Sequence, residues 1–149
     1  MLCQFTVKNF KSIRDEVTFD MQAAAISEHE DRIIIDKDEE KYLPVSAIYG
    51  PNGGGKSNVL AALHTLVAKV LRPLFATEDS EEKVLLQKKI IVEPFVFSES
   101  KDEPTEFELF FRTAVSEYRY ILHVKRELVL YESLDRVKLE TGRKSALFT

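Results

Sequence analysis

The 149-residue sequence contains a single cysteine and no apolar stretch long enough to cross a bilayer. Because Cys3 has no second cysteine to pair with, an internal disulfide is excluded, which fits a reducing compartment. The N-terminal residues also lack the basic segment and apolar block of a signal peptide. We therefore expect a cytoplasmic protein with no membrane-spanning segment.

Neither sign of charge dominates, since the sequence has 21 Lys and Arg residues and 25 Asp and Glu residues, which gives a net charge of −4. Charge alone thus predicts no nucleic-acid partner, although the cations are numerous enough to form a local patch. An apolar content of 44% excludes an intrinsically disordered chain. A chain of this length buries roughly two thirds of its unfolded surface, which is enough for one domain with a core.

Hydrophobic periodicity predicts two different parts, 1–89 and 90–149, of one domain. In the first part, period-2 alternation predicts two strands within 1–21, and a β-rich run at 45–49 leads into a helix with an apolar stripe over 59–74. A short helix is predicted at 83–89. In the second part, closely spaced strand-like runs predict an antiparallel meander. These runs cover residues 90–97, 107–113, 118–124, 128–134 and 136–140.

Glycine is scarce, with five in the chain, and four of them lie within the octapeptide GPNGGGKS at 50–57. This segment matches G-x-x-x-x-G-K-[ST] at every fixed position and stands between a strand-like run and the helix, as a phosphate-binding loop requires. Glycines let the backbone curl into a nest of N–H groups, and the helix adds its positive end. The predicted nucleotide-binding residues are Gly50, Pro51, Asn52, Gly53, Gly54, Gly55, Lys56, Ser57 and Asn58.

Two side chains of this loop have defined expected roles. Lys56 supplies a full charge for the β- and γ-phosphates, and the Ser57 hydroxyl is placed to bind Mg²⁺. The strings N-K-x-D and D-x-x-G, which mark a GTPase, occur nowhere in the sequence. The absence of both strings favours ATP as the nucleotide.

A hydrolase of this class also needs an apolar strand that ends in Asp for Mg²⁺. The run Ile33–Asp36 has this form, but it precedes the loop and continues into a charge cluster, so a surface loop is the better interpretation. The run 128–132 (LVLYE) lies within the expected meander and lacks the Asp. No S-G-G-type signature loop is present either. We therefore expect these residues to be the N-terminal part of a longer ATPase.

The order of these segments resembles a known family. The opening LCQFTVKNFKSIRDEVTFDM and the later AIYGPNGGGKSNVLAAL resemble the N-terminus of AAA/ABC-type ATPases of the SMC/RecF-like clade. Within it, the likeness is greatest to bacterial AAA ATP-binding proteins grouped with abortive-infection, phage-defence ATPases. The resemblance implies an α/β P-loop NTPase lobe, in which a strand–P-loop–helix unit carries an attached antiparallel β-sheet.

The resemblance also implies roles for residues and partners. Lys11, in the turn after the first strand, falls where this clade often places a cation that reaches the nucleotide, although a solvated turn lysine is an equal alternative. ATP would lie between two heads of a homodimer, and hydrolysis in the full-length protein would drive their association. DNA maintenance or phage defence, with a DNA or effector-protein partner, is implied more loosely. The catalytic residues would lie outside these 149 residues.

Two other functions remain open at this point. One is a regulatory module whose nucleotide controls assembly without being hydrolysed. The other is a small P-loop kinase, although the 49 residues before the loop and the trailing meander argue against it. A base-stacking surface on the aromatic strands is a further alternative, with Arg112, Arg119, Lys125 and Arg126 as its cations.

Overall fold

The computed structural model describes residues 1–25, 28–36, 39–75, 92–97 and 102–149, with 72–75 described as backbone only. The helix predicted at 83–89 lies outside these residues. Within the described parts, no helix combines the length and the hydrophobicity that crossing a membrane requires. The strands are β1 (Leu2–Lys8), β2 (Val17–Asp20), β3 (Ile34–Ile35), β4 (Lys41–Tyr42), β5 (Thr105–Arg112), β6 (Ser116–Lys125), β7 (Leu128–Lys138) and β8 (Lys144–Phe148), and the helix is α1 (Lys56–Phe75).

One antiparallel sheet joins the two ends of the sequence, in the strand order β2-β1-β5-β6-β7-β8. The antiparallel sheet expected for the second part is therefore confirmed, and it also contains β1 and β2. The link between the two parts is the pairing of β1 with β5, in which Phe5 lies opposite Leu109. Residues about a hundred positions apart thus become neighbours.

The later strands differ in extent from the predicted runs. Strand β7 continues through 128–138, where two runs were expected, because Asp135 pairs with Arg119 inside the ladder. Strand β8 was not predicted. It follows a turn in which Gly142 has a φ of 62°, a left-handed conformation that favours glycine.

The core lies between α1 and one face of the large sheet. Alternate residues of β1 and β6 point to this face, and Ala62 and Leu66 of α1 pack against them, because the helix presents one apolar stripe. The opposite face of the sheet carries polar pairs, such as the Thr6 and Thr18 hydroxyls at 3.0 Å. The buried core residues are Phe5, Val7, Phe10, Ile13, Ala62, Leu66, Val92, Phe107, Tyr120, Leu122 and Val124.

The strand expected at 45–49 does not form. Val45 and Tyr49 are 77% and 89% exposed, and no described residue pairs with this run. A β-rich sequence needs a neighbouring strand to satisfy its backbone, so composition alone does not produce a strand here. Likewise, 92–97 forms no strand, although Val92 is buried and its amide donates to the Arg126 carbonyl at 3.0 Å.

The run 33–36 lies at the surface, as expected, since Ile34 and Ile35 are exposed, but it forms a short strand rather than a loop. Strand β3 pairs with β4, and the Asp36 carboxylate lies 3.3 Å from the Arg112 guanidinium, with both side chains nearly buried. Arg112 also donates to Glu117 at 2.7 Å. Because Arg112 neutralises it inside the fold, the Asp36 carboxylate attaches the β3–β4 hairpin to the sheet.

Candidate nucleotide-binding site

The glycine loop is an exposed turn that leads directly into α1. Gly53 and Gly55 have φ values of 78° and 84°, in the left-handed region that residues with a Cβ rarely adopt. The Gly54 amide donates to the Pro51 carbonyl at 3.1 Å, and a Cβ on Gly54 would lie 3.1 Å from the same oxygen. The loop is therefore tight enough to require glycine at successive positions.

Several amides of the loop are free to bind a ligand. The N–H groups of Gly53, Gly55, Lys56 and Ser57 make no hydrogen bond to any residue that the structure describes. The last two belong to the first turn of α1, where backbone donors have no intrahelical partner. Together with the positive end of the helix dipole, these donors can bind an anion.

The Lys56 side chain folds back over its own loop. Its ammonium donates to the carbonyl oxygens of Gly50 and Pro51, both at 2.7 Å. A lysine ammonium has three donors, so one remains available while both bonds persist. The positive charge is thus held inside the curve of the loop, where a polyphosphate would benefit from it.

The chain offers few ligands for a metal ion near this loop. Ser57 is exposed, and its hydroxyl bonds to none of the described residues, so it is available as one oxygen ligand. In the described parts of the chain, no group of three or more His, Cys, Asp or Glu side chains is arranged to hold a metal. The donor set fits Mg²⁺ that is bound mainly by phosphate oxygens, as is usual for this ion.

The turn after β1 lies against the loop, and the contact is made by Ser12. The Asn58 side chain donates to the Ser12 hydroxyl at 2.6 Å, and a Cβ on Gly55 would lie 3.4 Å from the same oxygen. Lys11 has a φ of 50°, its amide donates to the Glu93 carbonyl at 2.9 Å, and its ammonium lies 5.6 Å from the Phe10 ring centroid. A nucleotide contact of Lys11 therefore stays a prediction.

Asn9 fixes this turn from inside the protein. Its side chain is fully buried, with a backbone φ of 55°, a conformation that asparagine tolerates better than most residues. Its amide nitrogen donates to the carbonyls of Glu103 and Pro104, and its oxygen accepts from the Phe95 amide at 3.0 Å. Thr105 donates to the Asn9 carbonyl. One buried side chain thus joins three segments.

Sequence reasoning missed the roles of Ser12 and Asn9. Both lie in the NFKS segment that supports the family resemblance, but nothing in the local pattern showed that this turn meets the loop. The two motifs are about forty residues apart in the sequence, and only the folded chain brings them together. Asn58 was predicted as a ligand contact, and the structure gives it a bond to Ser12.

Other groups considered from the sequence have partners within the fold. Glu132, in the run 128–132, accepts a hydrogen bond from the Tyr120 hydroxyl at 2.6 Å. Burial and this carboxylate raise the pKa of the Tyr120 phenol. Arg119 is bonded to Glu108 on the polar face of the sheet, so its charge is already compensated. Burial raises the pKa of the Cys3 thiol, which lies at a buried position of β1.

Comparison with known proteins agrees with the loop geometry. Residues 45–147, more than half of the chain, match the family described as "AAA domain, putative AbiEii toxin, Type IV TA system". The matched region begins just before the glycine loop and extends into β8, and it leaves out β1, β2 and the turn that contains Ser12. No curated protein sequence matches the chain.

Proposed function

Because this chain belongs to the AAA domain family matched over residues 45–147, we propose that it binds Mg-ATP through the loop 50–57. The observation that supports this most directly is the set of free amides at the N-terminus of α1, next to the Lys56 ammonium. A polyphosphate chain carries several negative charges and needs many donors in a small volume. The loop supplies both donors and charge without side chains that would crowd the ligand.

The bound phosphates would replace the carbonyl partners of Lys56. A phosphate oxygen is a stronger acceptor than a carbonyl, because the hydrogen bond is then charge-assisted on both sides. The Ser57 hydroxyl would hold Mg²⁺ together with phosphate oxygens, and the ion would neutralise charge on the phosphates. Gly53 and Gly55 have the left-handed backbone conformation on which an inward-facing set of amides would depend.

In the full-length protein we propose that ATP hydrolysis drives the association of two heads. Asp36, the one Asp that the sequence offered for Mg²⁺, is paired with Arg112 and so does not support hydrolysis by these residues alone. A partner of DNA or protein, in DNA maintenance or phage defence, is a looser part of the proposal. The small-kinase alternative is disfavoured, because the described sheet is antiparallel throughout and lacks successive parallel strand–helix units.

Calorimetric titration with Mg-ATP tests the proposal. We expect the chain to bind, and Lys56→Ala to bind roughly ten- to hundred-fold more weakly, because a charge-assisted contact is lost. Lys144→Ala is the matched control, since it removes the same charge from β8 rather than from the loop. Equal affinities of the Lys56→Ala variant and the wild type would refute a role for the loop.

Two further measurements separate the finer parts of the proposal. Ser57→Ala should lose much of the increase in affinity that Mg²⁺ produces, while its affinity for ATP in excess chelator should change little. Phosphate release by the full-length protein then separates the ATPase from the regulatory module. Tight binding with no release above background would favour a nucleotide-controlled assembly module.

A further inference from the structure

We propose that Ser12 is a positioning residue for the glycine loop, acting through Asn58. The Ser12 hydroxyl accepts a 2.6 Å hydrogen bond from the Asn58 side chain, at the start of α1. On this basis the first turn of the sheet determines the shape of a binding site more than forty positions away in the chain. The inference rests on the proposed function, since it assigns Ser12 a part in polyphosphate binding.

Ser12 is held on a rigid support. Phe10 and Ile13 exchange backbone hydrogen bonds at 2.8 and 2.7 Å across the turn, and both side chains are buried in the core. The amide of Lys11 donates to the Glu93 carbonyl at 2.9 Å. The backbone on both sides of Ser12 is therefore held in place, which limits where its exposed hydroxyl can lie.

Asn58 connects this support to the loop by two bonds. Its backbone amide donates to the Gly55 carbonyl at 2.9 Å, and its side chain donates to Ser12. Gly55 lies close enough to the turn that an added Cβ would be 3.4 Å from the Ser12 oxygen. Asn58 therefore bonds to the carbonyl of Gly55, and the amide of Gly55 is one of those available to the ligand.

This arrangement lowers the cost of ordering the loop. Amides that already point to the phosphate position lose less conformational freedom on binding. The entropic cost of binding is then smaller, and the affinity for the ligand is higher. Loss of the Ser12–Asn58 bond would let the junction between Gly55 and α1 sample other orientations. The core would be unaffected, since neither side chain belongs to the buried cluster.

A double-mutant cycle tests this inference on the 149-residue chain, with Mg-ATP and inorganic triphosphate as separate ligands in calorimetry. Ser12→Ala and Asn58→Ala should each weaken both ligands by about three- to ten-fold, the usual effect of one hydrogen bond. The double variant should bind within about two-fold of the weaker single variant, because both changes remove the same bond. Ser12→Thr keeps the hydroxyl and should retain wild-type affinity.

Thr18→Val is the matched control. It removes the Thr6–Thr18 side-chain bond of 3.0 Å, which lies on the same β-hairpin but on the polar face of the sheet. It should lower the melting temperature about as much as Ser12→Ala, yet leave the affinity for both ligands unchanged. If the loss of stability alone caused the weaker binding, both variants would lose stability and affinity together.

Several results would overturn the inference. Unchanged affinity in Ser12→Ala, or additive losses in the double variant, would show that the bond does not position the loop. Weaker binding of Mg-ATP alone, with triphosphate unaffected, would place Ser12 at the base or ribose. If the wild type bound neither ligand, the proposed function would fail as well, and the wild-type titration identifies that case.

Discussion

The turn after β1 and the glycine loop are in contact but are built in opposite ways. The turn contains Phe10, which is 1% exposed, and the fully buried Asn9, whose side chain bonds to three other residues. The loop and the residues before it are mostly exposed, and several loop amides make no hydrogen bond to the part of the chain that the structure describes. Ligand-binding elements come from the less stable parts of a fold, because their polar groups must be available. A loop of this kind needs a rigid neighbour to keep its shape.

The largest expected effect on stability follows from the difference in burial between the turn and the loop. Phe10→Ala should lower the free energy of unfolding by about 3–5 kcal/mol, since it leaves a cavity against Phe107, whose ring centroid lies 6.0 Å away. Tyr49→Ala, at an 89% exposed position before the loop, should change it by less than about 0.5 kcal/mol. Urea denaturation measures both. Similar losses would contradict the contrast in packing.

Two asparagines sharpen the same comparison. Asn9→Ala should lower the free energy of unfolding by about 2–4 kcal/mol, because it removes the hydrogen-bond partner of the Phe95 amide and of two carbonyls at a partly buried site. Asn52→Ala, in the exposed loop, should be nearly neutral. The two variants can be compared by chemical denaturation under identical conditions. If Asn9→Ala were as mild as Asn52→Ala, the buried bonds would not stabilise the turn.

Two loop glycines test how closely the turn constrains the loop. Gly53 and Gly55 both have positive φ, so alanine at either position should lower the free energy of unfolding by roughly 1–2 kcal/mol. Gly55→Ala should be the more destabilising, because its Cβ would lie 3.4 Å from the Ser12 oxygen, whereas a Cβ on Gly53 meets open space. Thermal unfolding provides the ranking. The reverse order would mean that the turn does not limit residue 55.

The smallest effect concerns pH and the sheet on which the turn is built. Burial and the Glu132 carboxylate raise the pKa of Tyr120, so the folded state favours the protonated phenol. The resulting stability is present below about pH 10, the usual pKa of tyrosine, and is lost as the pH rises further. Tyr120→Phe should cost about 1 kcal/mol at neutral pH through the lost hydrogen bond.

The pH profile is the informative measurement for Tyr120. Melting temperatures between pH 8 and 11 should fall less steeply for Tyr120→Phe than for the wild type. Tyr131→Phe, at a position 39% exposed on β7, should follow the wild-type profile. An unchanged slope in Tyr120→Phe would show that this phenol does not contribute to alkaline unfolding.

Local patterns were sufficient to predict much of the fold and to choose the glycine loop as the candidate site. Alternation in β1, β5 and β6 predicted strands because one face of the sheet is buried. The stripe of α1 and the octapeptide before it were equally readable. The same type of evidence failed at 45–49, where β-forming residues have no neighbouring strand among the described residues.

The glycine loop and the helix that follows it could be predicted from neighbouring residues, since both depend on residues adjacent in the chain. The folded chain was needed to show that β1 pairs with β5, that Asp36 binds Arg112, and that Asn58 donates to Ser12. In each case the partners are far apart along the chain, so no local pattern relates them. A periodic pattern reports which face of a segment is buried, but the packed core selects the residues that face it.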